Sequence, residues 1–240
     1  MRTGALDSLR TGHRSDEKLR LGSIYSLRSQ QFLLARQDED FLRTSRTHGF
    51  VDDATNILAA ALSLGWNAVG VRFGEWLLWG AVKGYFTDTR AIFRNCFPWF
   101  CLRLFADWQD IQVEQWPEHP FPAPEYDAVL AHWHDPDPSK LGEILLAVCD
   151  RHTHECFKWS DKPDKHGDFV NDVYWGWPIE VHMVFRIRED RGLPIPRVDH
   201  PLMQTALGAY LPPVPIPSDE LLDRITAMAI QTYPALAERL

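Results

Sequence analysis

Ten histidines in 240 residues put metal chemistry first among the questions. His132 and His134 stand just before Asp135 and Asp137. His152 and His154 stand just before Glu155 and Cys156, and His166 lies between Asp164 and Asp168. Two ligands share a helix face only at spacings of three or four residues. His152 with Glu155, or with Cys156, meets that spacing; the two His-x-His pairs do not. His152 and Glu155, joined by His132 or His134, are the set that a small metal-assisted hydrolase would use. There is no H-E-x-x-H, so a zinc-protease helix is not expected, and neither metal nor cofactor is assigned. There is no G-x-S-x-G elbow to present a serine. Gly65, Gly70 and Gly74 fall on helices instead of a strand-to-helix turn, which excludes the dinucleotide fingerprint and the phosphate loop. Four cysteines form no C-x-x-C pair. Their apolar neighbourhoods predict buried, inert thiols in a reducing compartment. No catalytic residue is expected.

Binding is the chemistry that remains. The net charge is −8, and residues 101–150 carry all of it, with ten acidic and two basic side chains. Such a field repels nucleic acid and attracts basic partners. Aromatic rings, which are enriched at interface hot spots, are interleaved with these acids: Trp108, Trp116, Phe121, Tyr126 and Trp133. A second compact aromatic patch is Tyr174-Trp175-Gly176-Trp177-Pro178. The expected partner-binding residues are Asp107, Asp110, Glu114, Trp116, Glu118, Asp135, Asp137, Trp175 and Trp177. The competing reading is plainer: the acids form a solvated face and the rings cover the core.

The elements that must hold these residues read as helices. Apolar residues make up 45% and charged residues 24%, ordinary for a globular chain. The longest apolar-to-small run, Ile57 to Trp66, is half of the ~20 residues that a spanning helix needs. No membrane contact is expected, and the charged first twenty residues predict no export signal, so the cytoplasm is the expected location. Residues 1–15 are polar and aperiodic and read as a flexible terminus, with a single helical domain over 16–240. Asp16 opens a helix with Leu21, Ile24, Leu27 and Leu34 on one side. Asp38 to Thr47 is a short candidate. Asp52 or Asp53 caps a helix that Gly65 ends. From Asn67 to Phe86, Gly70, Gly74, Leu77, Ala81 and Gly84 form one small-residue stripe, the signature of a groove for another helix. Thr87 or Asp88 caps a further helix that Pro98 breaks or kinks. Helices follow at Glu125–Trp133 and along Leu141, Leu145, Val148, His152, Cys156 and Trp159.

Ile179 to Arg188 alternates like a strand. Pro178 suits a first helical turn, however, and Gly192-Leu193 suits a Schellman ending, so a helix is predicted. Pro212, Pro213, Pro215 and Pro217 make an extended connector. Asp219 then opens a last helix with Leu222, Ile225 and Ala229 facing in. The fold expected is all-α: an irregular bundle of roughly eight to ten helices.

The run Asp199-His200-Pro201-Leu202-Met203, Leu207-Gly208, the proline-rich step and the helix from Asp219 resemble the C-terminal segments of all-helical bacterial immunity proteins of polymorphic and type VI secretion toxin systems. The resemblance covers about the last fifty residues. It implies a cytoplasmic binder that neutralises a cognate toxin, a protein with a basic surface such as a nuclease, by occluding it. It transfers no functional residue.

Overall fold

The computed structural model describes residues 2–13, 16–35, 51–82, 95–116, 122–156, 167–238 and 240. Among them the chain is all-α. The helices are α1 (Arg2–Thr11), α2 (Asp16–Ala35), α3 (Val51–Ser63), α4 (Asn67–Val82), α5 (Phe97–Trp108), α6 (Pro124–His132), α7 (Ser139–His154), α8 (Ile179–Asp190) and α9 (Glu220–Thr232). Short 3-10 turns cover Pro201–Gln204 and Pro234–Glu238. No strand occurs among the described residues; Cys156 and Phe169 form an isolated parallel bridge. The candidate helix at Asp38–Thr47, the cap at Thr87 or Asp88, and Gly84, Phe86, Phe121 and Trp159 lie outside the described residues.

Two helices form the centre. In α3 every residue except Asp52 and Asp53 is buried, and it packs against α2, α4, α5 and α8. Its run of alanines permits that many close neighbours. In α8 every residue from Ile179 to Arg188 is buried. This explains the strand-like alternation: a helix enclosed on all sides has no polar face from which a 3.6-residue period could be read. The polar side chains of α8 are each fastened instead. Glu180 meets His152, and His182 meets the Gly208 carbonyl at 2.8 Å. Arg186 donates to the Ser63 and Leu211 carbonyls, and Arg188 to those of Trp133, Asp135 and Pro194.

Two C-terminal helix ends follow their predicted signals, whereas Asp52 and Asp53 lie inside the first turn of α3 and do not cap it. Gly65 (φ 81) and Gly192 (φ 68) close α3 and α8, each with the paired reverse hydrogen bonds of a Schellman motif, Trp66 to Ala61 and Leu193 to Arg188. The glycine stripe of α4 does admit neighbours. A Cβ at Gly70 would lie 2.6 Å from Leu62, and one at Gly74 2.4 Å from the Phe105 ring. Pro98 sits in the first turn of α5, where a missing N–H does no harm. Asp168 anchors that turn: its carboxylate accepts from the Cys96 and Phe97 N–H groups (2.6 and 3.1 Å) and from Arg151 (2.8 Å). The proline connector lies on the α3–α4 corner, where Val214 donates to the Leu64 carbonyl and accepts from the Trp66 indole.

Three expectations are corrected. Residues 2–11 form a helix, with Ala5 and Ser8 buried; Lys18 reaches back from α2 to Asp7 at 2.6 Å, a long-range contact that no local period reveals. Ile225 faces out, not in. Helix α7 ends at His154, so Cys149 and Cys156 do not share a helix. All four cysteines are free thiols, three of them buried, and burial pushes the Cys96 thiol up to about 12.

Candidate functional site

Helix α4 turns its glycines inward and leaves Glu75, Trp79 and Val82 exposed at intervals of four and three residues, one face of a helix. Opposite this face runs the irregular segment 111–116. Its start is set by the end of α5. Asp110 takes a left-handed conformation (φ 55), and Ile111 N–H returns to the Ala106 carbonyl, a Schellman ending with aspartate where glycine is usual. The Asp110 carboxylate pairs with Arg191 at 2.9 Å, and Arg191 also holds the Trp108 carbonyl. Trp116 is held at the far end by Arg103, whose guanidinium lies 5.5 Å from the Trp116 ring and 4.7 Å from that of Trp99.

Between these two walls lies a groove of about 770 Å³. Leu78, Trp79, Val82, Ile111, Val113 and Trp116 supply its apolar lining, and Glu75 and Glu114 its carboxylates. A smaller hollow of about 250 Å³, which includes Arg103, Asp107 and Leu130, shares the same segment. Aromatic rings beside carboxylates suit a long cationic side chain, whose stem packs on the ring while its charge meets the acid.

The residues expected to bind a partner divide sharply. Asp107, Glu114 and Trp116 come together along segment 111–116, with Asp110 at its start. Asp107 also accepts from the Trp133 indole, which is buried. Asp135 is paired with His132 at 2.7 Å. Asp137 accepts from the Ser139 N–H at the start of α7, which holds its carboxyl below the usual range. Trp177 is only 1% exposed; it belongs to the core and offers no contact surface. Trp175 is half-buried, with its indole donating to the Phe169 carbonyl. Glu118 lies outside the described residues. Sequence reasoning missed Glu75, Val82 and Arg103. The spacing of Glu75, Trp79 and Val82 was a usable signal, but nothing local indicates that segment 111–116 would lie against them.

The histidines of the metal alternative do not meet. Both ring nitrogens of His152 are engaged, Nδ1 with Glu180 (2.7 Å) and Nε2 with the Tyr174 carbonyl (3.0 Å). A carbonyl only accepts, so Nε2 carries a proton. Burial opposes a charge on this ring. The Glu180 carboxylate and the Cys156 thiol outweigh it and raise its pKa to about 10. The two side chains form a pair with no side-chain exposure on either partner, and the direction of the shift favours a charged ring on His152. Among the described residues no three His, Cys, Asp or Glu side chains are grouped to hold a metal ion. No described helix is long and apolar enough to cross a membrane. No family model, curated protein or solved structure matches this chain.

Proposed function

We propose that this protein is a binder that occludes a basic protein partner at the groove between α4 and segment 111–116, in the manner of an immunity protein against a secreted bacterial toxin. One observation carries the reading: an apolar groove flanked by Trp79 and Trp116 and edged by Glu75 and Glu114. One of its two walls, segment 111–116, belongs to the stretch 101–150 where the negative charge is concentrated. The acids steer a cationic surface toward the groove, and the rings hold what arrives. A nuclease toxin, whose own substrate is an anion, has the matching charge.

The test is a kinetic binding measurement against the product of the adjacent gene, at two salt concentrations. Glu75→Lys with Glu114→Lys slows association and flattens its salt dependence, because steering is screened over ~10 Å at 0.1 M salt. Trp79→Ala leaves association intact and speeds dissociation, since truncated hot spots act mainly on the off-rate. Unchanged kinetics in all three substitutions would place the interface elsewhere and remove the proposal.

A further inference from the structure

We infer that the hollow between α2, the start of α3 and the turn 171–174 is a small-molecule site, and that its ligand is an organic ammonium carrying hydroxyl groups, of the class of the amino sugars. The hollow has a volume of about 380 Å³, inside the ~300–1,000 Å³ usual for such sites. It shares no lining residue with the groove of α4 and segment 111–116. Three elements build it. On α2, Tyr25 with Ser29 and Ser26 with Gln30 stand one helical turn apart and share a face. On α3, which packs against α2, Asp53 and Ile57 are likewise one turn apart. The turn after Phe169 adds Asn171 and Tyr174, and the Tyr174 N–H closes it on the Asn171 carbonyl at 3.0 Å.

The fold leaves most of these polar groups uncommitted. Among the described residues the side chains of Ser29, Gln30 and Asp53 meet no partner. Asn171 Oδ1 accepts from the Val173 N–H at 3.1 Å, which leaves its amide N–H groups for the hollow. The Ser26 hydroxyl donates to the Gly22 carbonyl at 2.9 Å and keeps its lone pairs. The Tyr25 hydroxyl donates to Asp219 at 2.7 Å, which fixes that ring. Ile57 and Tyr174 are buried and supply the apolar part of the lining.

These groups select the ligand. No Lys, Arg or His lines the hollow, so Asp53 is its one charge. Asp53 stands at the open side, yet the surrounding protein desolvates it enough to raise its carboxyl above the usual range, with no cation to offset the effect. A bound cation removes that penalty. One carboxylate among hydroxyls and amides is a poor cage for a metal ion, which takes several charged or carbonyl oxygens. An ammonium N–H instead makes a charge-assisted hydrogen bond to a single carboxylate. Hydroxyl groups both donate and accept, and so match Ser26, Ser29, Gln30 and Asn171. The C–H face of a sugar ring packs on Ile57 and Tyr174.

The experiment is a titration of the nitrogen-labelled full chain followed by amide NMR, with glucosamine, N-acetylglucosamine and methylammonium as probes. Glucosamine gives saturable shifts centred on residues 26–30, 53 and 171–174. N-acetylglucosamine keeps the ring and loses the charge; methylammonium keeps the charge and loses the hydroxyls. Each binds at least about tenfold more weakly, the effect of losing a charge-assisted hydrogen bond or the hydroxyl contacts. Asp53→Asn weakens glucosamine by about tenfold or more, with unchanged helical circular dichroism. No saturable shift from glucosamine by about 20 mM overturns the inference. Shifts centred on other residues overturn it too, as do N-acetylglucosamine or methylammonium binding as tightly as glucosamine, or an Asp53→Asn protein that binds like the parent.

Discussion

His152→Leu leaves the Glu180 carboxylate buried with neither oxygen hydrogen-bonded, since Oε2 has no partner even in the parent protein. Breaking one side of a buried ion pair typically costs ~3–5 kcal/mol. The raised histidine pKa leads to a similar figure: a rise from 6.5 to about 10 corresponds to roughly 4–5 kcal/mol. For a chain of this size that loss lowers the melting temperature by about 10 °C. The pH dependence has a definite sign. The folded pKa of His152 lies above its unfolded value, so its contribution is complete below pH 6.5 and is lost as pH rises toward about 10. Parent stability, measured by urea unfolding, should therefore fall from pH 7 to pH 9, and this slope should be much flatter in His152→Leu. Adding Glu180→Met to His152→Leu should recover about half of the loss, with roughly 1–3 kcal/mol remaining for the Tyr174 carbonyl left without a donor. A loss below about 1 kcal/mol for the single variant, or an equal pH slope in parent and variant, would refute an ionised pair.

Gly74→Ala gains ~1 kcal/mol of helix propensity but drives a methyl group into the Phe105 ring. Overpacking of ~1–3 kcal/mol wins, and the urea midpoint should fall. Asp110→Gly should be nearly neutral, because glycine accepts the left-handed backbone; Asp110→Val should lose ~1–2 kcal/mol by the same measurement. Asp168→Ala leaves two N–H groups at the start of α5 without their acceptor and leaves Arg151 with Glu125 as its one carboxylate partner, for ~3–5 kcal/mol. Asp168→Asn, which can still accept from both N–H groups, should lose distinctly less in the same unfolding assay.

Features governed by neighbours in sequence were legible. Gly65 and Gly192 closed their helices because a left-handed residue ends a helix whatever packs above it. Asp219 caps α9 through the Leu222 N–H, and the glycine stripe of α4 admits its neighbours. Features governed by distant contact were not. The placement of Ala5, the outward turn of Ile225 and the full enclosure of α8 depend on what each helix meets. The candidate site divides in the same way. The acids and Trp116 stood out by composition, but Glu75 and Val82 join them only because the end of α5 directs segment 111–116 along α4. Trp177 misled because an aromatic cluster in sequence looks the same whether it covers a core or faces a partner.

The arginines of α8 bear on the rate at which this molecule assembles. Arg186 reaches a carbonyl 123 positions away, and Arg188 one 55 positions away. Neither bond forms until the intervening chain has closed, and the entropy of closure is lost before the bond repays it. Helical proteins usually fold fast because their contacts are local. Here the central helix is tied to remote loops through its own buried side chains. Refolding on dilution from urea should accordingly be slower than in bundles whose helices meet only their sequence neighbours, and amides in the loops that Arg186 and Arg188 hold should gain protection late.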